Sequence, residues 1–479
     1  VTMAFLWKRA AAAPLCRYGA PRHASSWSAV VDRAKEALAG SGSSGADDQA
    51  AVSALLRDPL EVVGDELSSL RHNIAALLGS GHPSLDRVGK YYFQAEGKHV
   101  RPMIVLLMAK ATNGLSPAWA AQRASSVGEF ADTAISPERV LNDVNPSARR
   151  TPSDPLPRPA EPYTPQLQNV LLPTQRRLAE ITEMIHVASL LHDDVIDASP
   201  LRRGAPSAPN AFGNKLSILG GDFLLGRASI ALARLRDPEV VELMSTVIAN
   251  LVEGEVMQMR AQDSDAVPVT DLQSSEPGAQ VLDRFWAPST APSGPTREMF
   301  SYYLQKTYLK TASLIAKSAR SATVLGGCGE APVGAPRLMG ADRDEARKVC
   351  DAAYQYGRNV GIAFQLVDDL LDFQSTSEAF GKPSGGADLQ LGLATAPVLY
   401  AWQEFPDSRL GEMVHRRFTE PGDVQEALAI VHRSNGLART AELARYHAQV
   451  AAEALHVLPQ SDARGALAQL NEQIITRVK

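Results

Sequence analysis

Two short acidic runs carry the densest chemistry in the chain, Asp193-Asp194-Val195-Ile196-Asp197 and Asp368-Asp369-Leu370-Leu371-Asp372. On a helix positions i and i+4 share a face, so Asp193 converges with Asp197, and Asp368 with Asp372. A single acidic cluster is usually a solvated helix face. Here each run follows apolar residues, Leu190 and Leu191 before the first and Leu366 and Val367 before the second. Unpaired carboxylates are costly in such surroundings, so both clusters call for cations. Hard oxygen donors without a His or Cys partner favour Mg2+, which keeps several waters and completes its shell with phosphate oxygens. A diphosphate is the ligand that fits.

Basic residues lie near these runs. Gly97-Lys98-His99-Val100-Arg101-Pro102 precedes an apolar helix at Met103 to Met108, and Arg202-Arg203-Gly204 follows the first acidic run by five residues. Lys310-Thr311 is read as opening a helix from Ala312 to Ala322, and Phe380-Gly381-Lys382-Pro383 follows the second run. Each alone is an ordinary surface feature. Together, two carboxylate clusters and several fixed cations make a site for two diphosphates. His186, on an apolar helix face, reads by itself as a core residue with one hydrogen bond, and Gln365 as a group filling a polar gap.

The elements that must position these groups are helices. Beyond Asp58 apolar residues recur at three- and four-residue spacing with Gly and Pro between windows, which predicts an all-α domain over 49–479. Two stretches interrupt it. Ile135 to Pro173 holds nine prolines and Ala261 to Pro295 five, so both read as solvent-facing insertions in one helical domain.

The chain has 479 residues, of which 45% are hydrophobic and 21% charged, enough apolar material for a large core. A net charge of −5 excludes a protein that coats nucleic acid. Three cysteines without a CxxC pair exclude a disulfide framework or structural zinc and fit a reducing compartment. Charges interrupt even the richest apolar window, Phe223 to Leu235, so no membrane span is expected. Val1 to Val31 differs from the rest: Lys8, Arg9, Arg17 and Arg22 with no Asp or Glu, among many Ala and Ser, read as a mitochondrial transit peptide. With the connector Ser41 to Asp48, residues 1–48 form a leader and linker.

The ordered set GKxxRP, ExxHxxSLxHDDxxD, RRG, KT, and FQLxDDxLDF with GKP and DLxxGLxTxP resembles the trans-prenyltransferases, specifically the long-chain polyprenyl diphosphate synthases. It is most similar to the fungal mitochondrial hexaprenyl-type members that serve ubiquinone biosynthesis, through Asp222-Phe223-Leu224-Leu225-Gly226-Arg227-Ala228 and Ala353-Tyr354-Gln355-Tyr356-Gly357-Arg358. The resemblance runs from about Asp58 to the C-terminus and implies the isoprenoid synthase fold, a helical bundle around a central apolar cavity. Ala198 departs from it, since many relatives carry another acid there.

By that resemblance Asp193, Asp197 and Asp368 hold Mg2+, with Asp194, Asp369 and Asp372 assisting. Arg202, Lys310, Thr311, Gln365 and Lys382 grip the allylic diphosphate, farnesyl or geranylgeranyl, with Lys310 also among the catalytic residues. Lys98, Arg101, His186 and Arg203 bind isopentenyl diphosphate, and the small Ala188 and Ser189, about one turn before Asp193, leave room for a long product. The implied assembly is a homodimer or a hetero-oligomer with a related subunit, in the mitochondrial matrix with peripheral membrane association. Two other readings stay open here, a terpene cyclase and a non-catalytic partner subunit. The intact second acidic run and the Lys98/Arg101 pair argue against the first, and both intact runs against the second.

Overall fold

The computed structural model describes residues 58–78, 82–94, 99–126, 170–202, 204–262, 294–330, 336–374 and 385–477. The leader, the connector and nearly all of both proline-rich insertions lie outside the described residues, as do Lys98, Arg203 and Lys382.

The chain is all-α, as its periodicity predicts. The helices are α1 Pro59–Leu77, α2 Pro83–Tyr91, α3 Val100–Thr112, α4 Trp119–Ser126, α5 Pro173–Ile196, α6 Ala208–Phe212, α7 Asn214–Arg234, α8 Pro238–Gln262 and α9 Arg297–Thr307. There follow α10 Ser313–Thr323, α11 Gly340–Gln374, α12 Ala387–Gln390, α13 Ala396–Glu404, α14 Leu410–His415, α15 Asp423–Arg433, α16 Gly436–Ala454 and α17 Asp462–Ile475. Among the described residues the strands are two-residue pieces, Leu201–Arg202 paired antiparallel with Ala205–Pro206.

Local chemistry sets the helix starts. Asp58 accepts a hydrogen bond from the Leu60 amide at 3.0 Å with Pro59 in the first turn, and Thr296 caps α9 through the Met299 amide. Pro173 begins α5, where the Gln175 side chain reaches back to accept from the Leu172 amide at 3.1 Å. Pro173, the last proline of the first proline-rich stretch, is therefore a helix start rather than part of a loop.

Helices α3, α5, α10 and α11 pack in sequence, with α8 against α10 and α17 against α3. Helix α3 is enclosed along most of its length: every residue from Pro102 to Ala109 is buried. Close approach of α11 to its neighbour rests on Gly357 and Gly361, where an added Cβ would lie 2.7 Å from the Ala316 Cα and 2.6 Å from the Ala312 Cα. That contact brings Thr311 to Gln365, one turn before Asp369 of the second acidic run. By length and composition α7 is long and apolar enough to cross a membrane, a feature that the count of consecutive apolar residues misses. In this fold it packs along α5 and α2 while carrying Lys215, Asp222, Arg227 and Arg234.

Candidate active site

The first acidic run closes α5. Asp193 lies in the last turn and Asp197 is the C-cap in right-handed helical conformation, its amide donating to the Asp193 carbonyl at 2.8 Å, so both carboxylates keep one face. Ala198 then breaks the helix at φ 48°. Acids at a helix C-terminus meet the negative end of the macrodipole, an unfavourable place unless a cation is supplied. Burial pushes the Asp193 carboxyl up to about 7, with Glu255 and Asp197 adding to the rise and Lys310 opposing it. Burial raises Asp197 as well.

Asp194 points elsewhere and is completely buried. Arg202 donates to it from Nε at 2.8 and 2.9 Å and from Nη2 at 2.5 Å, and Tyr92 donates its hydroxyl to the second oxygen. Tyr92 also accepts from the Ala208 amide at 2.7 Å. Asp194 thus fastens the short hairpin and the start of α6 to α5.

The second run divides likewise. Asp368 meets the Arg477 guanidinium, which stacks on the Phe364 ring at 4.3 Å; burial raises the Asp368 carboxyl and Arg477 opposes the rise. Asp369 is buried between the Tyr303 hydroxyl at 2.5 Å and the Gln365 amide at 2.9 Å. Because Nε2 of Gln365 donates to Asp369, its carbonyl oxygen faces the other way and accepts from Thr311 at 2.8 Å. Asp372 accepts from the Ala387 and Asp388 amides at 3.0 and 3.1 Å, anchoring the start of α12.

Lys310 and Thr311 do not open a helix. They sit in a π-helical turn, Tyr308–Ala312, that joins α9 to α10 without a break. The extra residue in that turn rotates the side chains relative to a regular helix, a device common at functional sites. Lys310 Nζ lies 2.5 Å from Glu255, donates to Gln258 at 3.1 Å, and is 4.0 Å from Asp193.

On the neighbouring wall Arg101 Nη1 and His186 Nε2 are 3.1 Å apart, and His99 Nδ1 is 3.1 Å from Glu183. Arg71 approaches His99 Nε2 at 3.4 Å. An arginine only donates, so Nε2 accepts and the His99 proton resides on Nδ1, donated to Glu183. A cavity of about 220 Å³ opens beside these groups, lined by Tyr91, Tyr92, Gln94, Glu183, Val187 and Arg202 among others.

The structure therefore brings Lys310 to within 4.0 Å of Asp193, Thr311 to Gln365 and through it to Asp369, and Arg101 to His186, while Arg202 is held by Asp194. Sequence reasoning missed Glu183, Glu255, Gln258, Tyr303 and Arg477. Glu255 and Gln258 sit at i, i+3 spacing on α8, a signal too common to single out. Among the described residues no three Asp, Glu, His or Cys side chains gather closely enough to hold an ion unaided. Magnesium fits such a site, because it draws the rest of its ligands from water and phosphate.

Residues 166–431 match the polyprenyl synthetase family. The chain is 49% identical to a probable mitochondrial hexaprenyl pyrophosphate synthase of Neurospora crassa over 88% of this chain and 82% of that one. It is 43% identical to the mitochondrial hexaprenyl pyrophosphate synthase of Saccharomyces cerevisiae, over 89% and 92%. It is 39% identical to decaprenyl-diphosphate synthase subunit 1 of Schizosaccharomyces pombe, over 88% and 92%. In fold it is similar to a decaprenyl diphosphate synthase from Rhodobacter capsulatus, with a TM-score of 0.60 at 24% identity over 88% of this chain and 98% of the other. The isoprenoid synthase fold expected from the motifs is thereby established, and the chain belongs to the polyprenyl synthetase family.

Proposed function

We propose that this chain is a mitochondrial long-chain trans-polyprenyl diphosphate synthase that adds isopentenyl units to an allylic diphosphate and so builds the ubiquinone side chain. The observation that carries the reading is the π-turn Tyr308–Ala312, whose Lys310 lies 4.0 Å from Asp193 of the first acidic run while Thr311 donates to Gln365 on α11, the helix that bears the second run. Mitochondrial relatives at 43–49% identity support the product class and the compartment.

Asp193, Asp197 and Asp368 would hold Mg2+, which when bound neutralises the diphosphate as its charge develops. Lys310 and Thr311 supply a fixed cation and a hydroxyl at the leaving group. Arg101 and His186 seat isopentenyl diphosphate, joined in this reading by Lys98 and Arg203, and Lys382 joins the allylic side. Once the allylic carbon–oxygen bond ionises, the isopentenyl double bond attacks the cation and a proton is lost, so no protein nucleophile is needed. The buried walls of α3 and α5 keep out water, which would otherwise quench the cation. The product lies in the hexaprenyl to decaprenyl range named for the relatives. The assembly is a homodimer or a hetero-oligomer with a related subunit; the relative from Schizosaccharomyces pombe is itself named as a subunit 1. The proline-rich insertions are additions to one catalytic domain, and residues 1–48 are the leader.

The test is a product assay. Purified protein with Mg2+, farnesyl diphosphate and radiolabelled isopentenyl diphosphate should yield a long polyprenyl diphosphate on chromatography. No incorporation by folded protein, alone or with a co-expressed related subunit, would overturn the reading.

A further inference from the structure

The Lys310 ammonium sits among three acceptors at graded distances: Glu255 at 2.5 Å, Gln258 at 3.1 Å and Asp193 at 4.0 Å. Glu255 and Gln258 are both buried. Their helix reaches the π-turn because residue 254 is glycine; a Cβ there would come 3.0 Å from the Lys310 amide nitrogen and 3.2 Å from the Leu309 and Lys310 Cβ atoms. Tyr302 draws α9 to the same stretch, donating to the Met257 carbonyl at 2.6 Å. The contact between α8 and the π-turn is therefore built closely around one ammonium group.

A lysine within reach of Asp193 poses a problem for a metal site. An ammonium in contact with that carboxylate occupies the place a divalent ion needs. Coulomb attraction falls with distance, so the nearer carboxylate holds the charge. We infer that Glu255 and Gln258 are positioning residues that tether the Lys310 ammonium away from Asp193, leaving that carboxylate to the metal and the ammonium to the diphosphate. This rests on the reading of Asp193 as a metal ligand. The tether touches neither metal nor reacting atoms and acts through Lys310. Removing it lets the ammonium collapse onto Asp193, and the metal then competes with a bound cation.

The experiment compares Glu255→Gln, Glu255→Asp, the double variant Glu255→Gln/Lys310→Met, and Asp193→Asn with the parent protein. Mn2+ binding in the presence of inorganic pyrophosphate is read by electron paramagnetic resonance, alongside KM for farnesyl and isopentenyl diphosphates. Glu255→Gln should weaken Mn2+ binding about tenfold or more, the range of losses when groups supporting metal ligands are changed. KM for farnesyl diphosphate should rise with it, while KM for isopentenyl diphosphate stays unchanged. Glu255→Asp should recover part of the affinity, and the double variant should regain Mn2+ binding because the competing ammonium is gone. Failure of the double variant to regain it would make Glu255 a ligand itself and overturn the tether. A lowered melting temperature in Glu255→Gln with unchanged Mn2+ affinity would reduce the contact to packing. Unchanged Mn2+ binding in Asp193→Asn would instead defeat the metal-ligand reading on which the tether rests.

Discussion

Asp193 and Asp194 are adjacent in the chain yet belong to different structures: one carboxylate shares its face of α5 with Asp197, the other is fully buried under the Arg202 guanidinium. Their substitutions should separate accordingly. Asp194→Ala leaves Arg202 without its fork and the Tyr92 hydroxyl without its acceptor. Breaking a buried charge pair costs about 3 kcal/mol, so the melting temperature should fall by several degrees. A midpoint equal to that of the parent would show that the hairpin is held by other contacts.

Asp193→Ala should behave in the opposite way. Its carboxyl is raised from the usual value of 3.8 to about 7, chiefly by burial. A group raised in the folded state contributes stability below its unfolded pKa and loses it as pH rises through 7. At pH 8 without metal, therefore, the variant should melt no lower than the parent. Turnover should drop by about a thousandfold or more in both Asp193→Ala and Asp368→Ala, measured at saturating Mg2+ with circular dichroism unchanged. Comparable activity in either variant would remove these residues from the metal site.

His447 sets an acid limit on stability. It is buried between α16 and α11, with Nδ1 2.8 Å from Asn359 Oδ1, and burial lowers it from 6.5 to about 3. A depressed histidine contributes stability that is present above pH 6.5 and lost as pH falls towards 3. His447→Gln should flatten denaturant-midpoint profiles between those limits, since the amide can face Asn359 without charging. An acid limb as steep as the parent's would assign the loss to other groups.

Much of the site was legible because the chemistry is local. A repeated DDxxD on apolar helices declares two carboxylate clusters before any fold is known. What Asp194, Asp369 and Asp372 do was not legible, because all acids in such a run look alike until their partners appear. Arg202 is eight residues from Asp194 and reaches it through the hairpin, whereas Tyr303 meets Asp369 across 66 positions and Arg477 meets Asp368 across 109. The π-turn escaped for a related reason. One extra residue in a long helix leaves the apolar period almost intact, so Lys310-Thr311 read as a helix start instead of a bulge within it.

Ala188 and Ser189, two small neighbours that the sequence treats alike, face different parts of the structure. Ser189 lies four residues before Asp193 and shares its face, and its hydroxyl donates to the His186 carbonyl at 2.8 Å. Ala188 shares instead the stripe of His192, which packs on α7 so tightly that a Cβ at Gly221 would strike the His192 ring. Ala188 is completely buried. A growing chain that starts beneath the metal face passes Ser189 first, so Ser189→Phe should yield shorter products while the diphosphate chemistry continues. Ala188→Phe must push α5 from α7, and such overpacking costs about 1–3 kcal/mol, so it should lower the melting temperature before it alters product length. Chromatography of the products beside thermal melts reads both effects. Short products from a fully stable Ala188→Phe protein, with Ser189→Phe unchanged, would place the channel between α5 and α7.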